Sequence, residues 1–287
     1  MNNKKLLIAS SSRSEAITKW ILNTQSTSPT IDVVFIGDLL NKYDIQDRLS
    51  DKEVCIQWYK KDKIKYSNHS HHLLNRIIYI ERELFGSFKA QDQDYARREF
   101  EAYLGFALNS FVKVQNIAVN GVCEQIYSLP QQWNLIKEKL NLPIPNYYWG
   151  AKSYFPFGKN INVVHSTIFN FLNWSASTNS NNLTGFCFEK PIGEPIFILS
   201  VGSSRLITAN LILTDTQLDI LEKALYQIKR VFNYFIFELL VFVNKNELSF
   251  GCVNIEIIRS QSNPLFSDFL HHNLLQEYYN CLNWNHL

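Results

Sequence analysis

The acidic residue with the most unusual surroundings is Glu238, set among Phe235, Ile236, Phe237, Leu239 and Leu240. A carboxylate flanked this way either projects from the polar face of a strand or has a partner inside the protein, because a lone buried charge is costly. Cys252 could act as a nucleophile. It follows Phe250-Gly251 on an apolar stretch, however, where a thiol keeps its proton and packs as a small apolar group. Gly202-Ser203-Ser204-Arg205 could hold a phosphate between backbone and guanidinium; the plainer reading is a hairpin turn. His69, His71 and His72 are spaced like metal ligands. No acidic residue nearby completes a ligand set, and surface histidines at a loop-to-helix junction are the plainer reading. His271 and His272 fall on a helix, where adjacent side chains point apart and do not share a metal.

The elements that must position these groups are carried by 287 residues, 46% of them hydrophobic, enough for a sizeable core. A net charge of +2 gives no field that would draw the chain to nucleic acid or to an acidic membrane. The basic run 60–66 (KKDKIKY) reads as a solvated turn. The five cysteines are scattered without a C-x-x-C pair, which argues against structural zinc and a disulfide framework. The apolar run near the N-terminus is too short for a signal peptide, and no window reaches the ~18 apolar residues of a membrane span. These features point to a soluble, reducing, cytoplasmic protein without nucleic-acid or membrane partners.

Apolar runs predict strands at 6–10, 32–36 and 54–59, with a helix after the Ser-rich segment that follows the first. Alternation of strand and helix predicts a parallel α/β layer. Helices are expected at 69–85 and 94–111; in the second, Phe100, Tyr103, Leu104, Ala107, Leu108 and Phe111 form one apolar face. Beyond residue 160 the pattern changes to strands at 162–165, 186–188, 196–201 and 206–213. A helix opens on the capping box Thr214-x-x-Gln217 and buries Leu218, Leu221, Leu225, Ile228 and Phe232. Long strands at 235–243 and 248–258 follow, joined by a turn at 244–247 in which asparagine tolerates positive φ. A closing helix covers about 264–282. The polar stretch 173–184 (NWSASTNSNNLT) holds almost no structure-forming residues.

Between these halves, 115–150 reads as a strand, a helix opening on Leu129-Pro130-Gln131-Gln132-Trp133, and Leu142-Pro143-Ile144-Pro145. This segment resembles the entry to an ATP-grasp domain. Trp58-Tyr59-Lys60-Lys61 resembles the strand that ends the first layer in the branch modifying ribosomally made peptides. Phe188-Glu189-Lys190-Pro191-Ile192-Gly193 resembles its hinge strand, and Phe250-Gly251-Cys252-Val253-Asn254 is similar to its "L-E-V-N" strand. The resemblance implies an α/β, ATP-grasp-like fold. An N-terminal α/β pre-ATP-grasp layer (1–112) and a linking strand and helix (113–150) would precede a shortened C-terminal domain (151–287) with a mixed, mostly antiparallel sheet and helices.

The resemblance also implies a chemistry, in which ATP activates a carboxylate for attack by an amine and magnesium holds the phosphates. Glu189 and Lys190 would then read adenine and phosphate, with His165 where a phosphate lysine belongs and Lys159 the nearest lysine upstream. Glu238 and Asn254 would hold the metal. Phe197 stands where an arginine is expected, Cys252 replaces a metal-binding glutamate, and the glycine-rich loop position, 173–184, contains no glycine. Two functions stay open: an ATP-dependent carboxylate–amine ligase acting on a peptide or small molecule, and a non-catalytic relative that binds such a ligand or a partner. A homodimer is left open. The thinned cation set predicts ATP affinity no better than high micromolar, roughly −5 to −6 kcal/mol.

Overall fold

The computed structural model describes residues 4–24, 30–113, 127–149, 163–165, 186–189, 191–209, 212–245 and 247–284; at 112–113, 149, 163–165, 186–187 and 281–284 it describes backbone alone. The strand expected just after 115, Lys159, the polar stretch 173–184 and Lys190 lie outside these residues.

The N-terminal half runs β1 (Lys5–Ser10), α1 (Ala16–Thr24), β2 (Ile31–Phe35), α2 (Ile36–Lys42), β3 (Asp44–Leu49), β4 (Val54–Lys60), β5 (Lys63–Ser67), β6 (His71–Arg76), α3 (Gln93–Asn109) and β7 (Val112–Lys113). Strands β2-β1-β6-β7 form a parallel sheet. Leu6 and Ile8 on one face pack with Ile17 and Ile21 of α1, while Leu7 and Ala9 on the other pack with Leu104 and Leu108 of α3. Coverage of both faces explains why β1 is a continuous apolar run.

Two expectations are corrected here. The segment 69–85 is not a helix: β6 occupies it as a central parallel strand, and a short 3-10 turn follows at Arg82–Phe85. β6 (HHLLNR) holds only two apolar residues, Leu73 and Leu74, between buried polar ones, so no period-2 alternation marks it as a strand. The strand at 54–59 exists as β4, but it belongs to a separate antiparallel sheet, β3-β4-β5. Lys61 and Asp62 take φ of 52° and 59°, forming a two-residue hairpin. The basic run is therefore part turn and part strand β5.

The C-terminal half contains α4 (Leu129–Leu140), β8 (Tyr147–Trp149), β9 (Val163–His165), β10 (Phe186–Glu189), β11 (Glu194–Val201), β12 (Ser204–Thr208), α5 (Asp215–Phe232), β13 (Ile236–Asn244), β14 (Glu247–Asn254) and α6 (Phe266–Trp284). Its sheets, β8-β10-β9 and β12-β11-β13-β14, are antiparallel throughout. The capping box at Thr214 and Gln217 opens α5, which buries Leu221, Leu225, Ile228 and Phe232. The turn at 244–247 is present, with the positive φ on Lys245 (53°). The strand expected at 206–213 ends at Thr208.

Helix α4 opens on Ser128 with a capping box to Gln131 and a proline in its first turn. Although the sequence reading assigned it to a linking segment, Trp133 and Ile136 pack in one core with Leu221, Ile228 and Phe250. It also seals β14, an edge strand whose outer N–H and C=O groups would otherwise invite another chain. The Gln132 side chain accepts from Val253 N at 2.7 Å and donates to Val253 O at 3.0 Å. Trp133 Nε1 donates to Gly251 O at 2.7 Å. Among the described residues, no helix is long and apolar enough to cross a membrane.

Candidate functional site

The sheet β12-β11-β13-β14 has two faces with different partners. Ile196, Ile198, Leu239, Val241, Phe250 and Val253 face α4 and α5. The register sets out the opposite face in rows. Leu199, Glu238 and Asn254 stand opposed in one row, and Phe197, Leu240 and Cys252 in the next. Phe242 pairs with Ser249, and Asn244 with Glu247 at the hairpin tip. Alternate residues are about 7 Å apart, so the rows from Glu238 to Asn244 extend about 20 Å.

The sequence-derived positions Phe197, Glu238, Cys252 and Asn254 thus share one face. A single irregularity makes this so: between Leu240 and Val241 the register with β14 shifts, and Gly251 is passed over. A Cβ on Gly251 would meet Leu240 O at 2.8 Å, so the bulge requires glycine.

At the tip end lies a cleft of about 260 Å³, lined by Ile144, Asn146, Glu189, Ile192, Glu247 and Ser249 among others. Glu189 ends β10, half-buried, and accepts from Asn146 Nδ2 at 2.9 Å. His165 ends β9 with its backbone opposite Cys187. The middle rows are apolar: Leu240, Phe242 and Cys252 are buried and cluster with Phe197, Ile258 and Leu129. Burial, and then the nearby Glu238 charge, push the Cys252 thiol well above its ordinary pKa, which makes it a poor nucleophile.

Glu238 is fully buried at the other end. Its Oε1 accepts from Ser260 N and Ser260 Oγ, each at 2.5 Å, and from Arg259 N at 3.1 Å. Its Oε2 accepts from Ile258 N at 3.0 Å and Arg259 N at 3.1 Å. Asn254 Oδ1 accepts from Glu256 N at 3.0 Å. Magnesium demands near-octahedral oxygen ligands at about 2.0–2.1 Å. The two residues are opposed on one face as a shared metal requires, but the Glu238 oxygens are saturated by the loop at 258–260, and a cation there would have to displace it. Among the described residues, no group of three or more His, Cys, Asp or Glu could hold a metal.

The other sequence candidates resolve into structural roles. Gly202 (φ 56°) and Ser203 turn β11 into β12. The donors of that turn are taken by Glu277 of α6: Ser203 N at 2.8 Å, Ser203 Oγ at 2.7 Å and Ser204 Oγ at 2.9 Å. Burial works against ionisation of Glu277, but these bonds and the Lys229 charge outweigh it and hold its pKa below the usual range. Arg205 pairs with Glu222 of α5, on the opposite face. His71 is buried in β6 rather than on a surface; Nε2 meets Asp32 Oδ2 at 3.3 Å and Nδ1 meets Ser70 Oγ at 2.9 Å.

Sequence reasoning missed the ion pair between Arg76 and Glu15, 2.6 Å apart and nearly fully buried. Arg76 also donates to Ile255 O at 2.7 Å, which joins the parallel sheet to the segment leaving β14. Burial raises the Glu15 pKa, but the Arg76 charge and bonds from Arg76 and Thr18 leave it lowered. Arg259, with Cζ 5.7 Å from the centroid of the Phe197 ring, was missed as well. The signal available was weak: an arginine just beyond an apolar strand.

No family profile and no curated protein sequence matches this chain. Solved structures do. The macrocyclase MdnC of Microcystis aeruginosa, bound to its precursor peptide MdnA, superimposes with a TM-score of 0.70 at 13% identity, over 96% of this chain and 99% of that one. A RiPP-associated ATP-grasp ligase of Chryseobacterium gregarium, with ADP and a leader and core peptide, gives 0.66 at 14% identity, over 99% and 97%. The ligase PsnB, with a minimal precursor, Mg and ADP, gives 0.61 at 10% identity, over 93% and 97%. The chain has the ATP-grasp ligase fold. Identities this low show the fold alone, and mark the chain as a divergent example of it. The α/β class and the antiparallel C-terminal sheets expected from the sequence are those of the ATP-grasp fold.

Proposed function

We propose that this chain is an ATP-grasp-fold protein of a peptide-modifying pathway that binds a peptide and, weakly, an adenine nucleotide, without running a magnesium-driven ligation. The observation that carries this is the state of the rows described above: the middle of the face is a buried apolar strip, and its acidic group, Glu238, is committed to the loop at 258–260. The tip cleft beside Glu189 has the polar lining and volume to accept a base or ribose. Among the described residues, the face beyond it shows no oxygen cage of the kind that magnesium and a triphosphate call for. The peptide half of the proposal is supported by the structural neighbours, which were solved with precursor peptides.

In this reading Glu189, Lys190 and His165 serve the nucleotide. ATP, when bound, supplies phosphate chemistry only if magnesium reaches the face. A second reading, the ATP-dependent carboxylate–amine ligase, is favoured by the direct opposition of Glu238 and Asn254. Titration calorimetry with ATP and ADP, with and without magnesium, separates the two. High-micromolar, magnesium-independent binding supports the binding protein. Tight, magnesium-dependent binding, together with loss of water from a candidate peptide by mass spectrometry, would establish the ligase.

A further inference from the structure

The small antiparallel sheet β3-β4-β5 stands apart from the candidate site, and its outer strand is exposed. Burial falls away across it. Ile56 and Trp58 of β4 are fully buried in one core with α3, whereas in β3 (DIQDRL) only Asp47 is half-buried. Leu49 is 68% exposed and Ile45 37%. Among the described residues, no strand pairs with the outer edge of β3, and no charged group pairs with Asp44 or Arg48. An edge of this kind is a template for another strand. The register with β4 fixes the faces: Ile45, Asp47 and Leu49 share the inner face with Trp58, Ile56 and Val54, while Asp44, Gln46 and Arg48 look outward.

The occupant that fits this edge is a second copy of β3. In an antiparallel pair, opposed residues offer their backbone groups alike, so under two-fold symmetry one residue must face its own copy at the axis. Centred on Asp47, the pairing sets that carboxylate against itself. Centred on Ile45, it carries Arg48 past the strand toward Lys42, a like charge at the end of α2. Centred on Gln46, it opposes Asp44 with Arg48 on each side of the axis, Tyr43 with Leu49, and Ile45 with Asp47. Opposite charges on facing residues of such a pair attract, and Leu49 gains an aromatic neighbour.

We propose that two copies of this chain join edge to edge through β3, with Gln46 at the two-fold axis and an Asp44–Arg48 pair on either side of it. The strand has 6 residues, a fraction of the roughly 20–30 a side of a standard interface, so the dimer is weak and concentration-dependent. Its ion pairs are exposed, and added salt weakens it further.

The test is sedimentation of the full chain over a concentration series, for wild type, Asp44→Arg, Arg48→Asp and the exchange Asp44→Arg/Arg48→Asp. Both positions are exposed, so thermal unfolding should be unchanged, and this is checked. Wild type should pass from monomer to dimer. Each single variant opposes like charges twice and should dimerise about tenfold more weakly, or worse. An equimolar mixture of the two single variants should dimerise as wild type does, because each aspartate then meets an arginine. The exchange variant should do so alone. A wild type that stays monomeric throughout overturns the proposal. Single variants that dimerise like wild type place the contact elsewhere and overturn it too. Failure of the mixture or of the exchange variant to recover overturns the register, and the proposal with it.

Discussion

Replacing Glu238 with glutamine keeps the shape of the side chain and removes its charge. The structure gives the cost. The amide oxygen can take the place of Oε1 and keep Ser260 N, Ser260 Oγ and Arg259 N. The amide NH2 then faces Ile258 N, a donor whose acceptor was 3.0 Å away. Leaving that buried N–H unpaired costs about 2 kcal/mol, and turning the three surviving bonds from charged to neutral acceptors costs about 1 kcal/mol each. Release of a buried charge offsets part of this. The expected net loss is about 3 kcal/mol, which at roughly 2–4 °C per kcal/mol lowers Tm by roughly 6–12 °C. Calorimetry and urea unfolding read the loss, and hydrogen exchange should show the amides of 258–260 opening faster. A change under about 1 kcal/mol, with amide protection unaltered, would refute the claim that Glu238 is the anchor of this loop.

Arg76→Ala should cost about 3–5 kcal/mol, since it strands the buried Glu15 carboxylate and frees Ile255 O; Arg76→Ala with Glu15→Gln should recover part of that in urea unfolding. The His71 pKa is lowered from 6.5, by burial first and against the opposing effect of Asp32, so the unfolded chain takes up the proton before the native state does. Stability should therefore fall as pH drops below about 6.5, and His71→Gln should flatten that part of the Tm–pH curve; an identical slope in the variant would remove His71 as the cause.

The parts of the fold legible in the sequence were those where one local signal dominates. The capping box of α5, the 244–247 turn and the apolar stripe of α5 were readable because each depends on residues a few positions apart. Strand β6 was not, because it carries only Leu73 and Leu74 among polar residues, and its burial is explained only by β1 and β7 on either side. The site was half legible. The order of Glu238, Cys252 and Asn254 placed them together, but nothing local said that three backbone amides would fill the Glu238 carboxylate. Arg259 was invisible for the same reason: its contact with Phe197 joins residues 62 positions apart.

The skipped residue in β14 works as a phase shift. On the hairpin side of Gly251, even-numbered residues such as Leu248 and Phe250 point to the helices; on the far side, Cys252 and Asn254 point away from them. Hairpin and site therefore read the same strand in opposite phase. Deleting Gly251 would remove the bulge and leave a regular strand in which Phe250 still faces the helices and Cys252 and Asn254 still face the site. Inserting one further residue there would break the pairing with β13 a second time. What an engineered or naturally varied relative must preserve is the phase of the strand on each side of the bulge, more than the bulge itself.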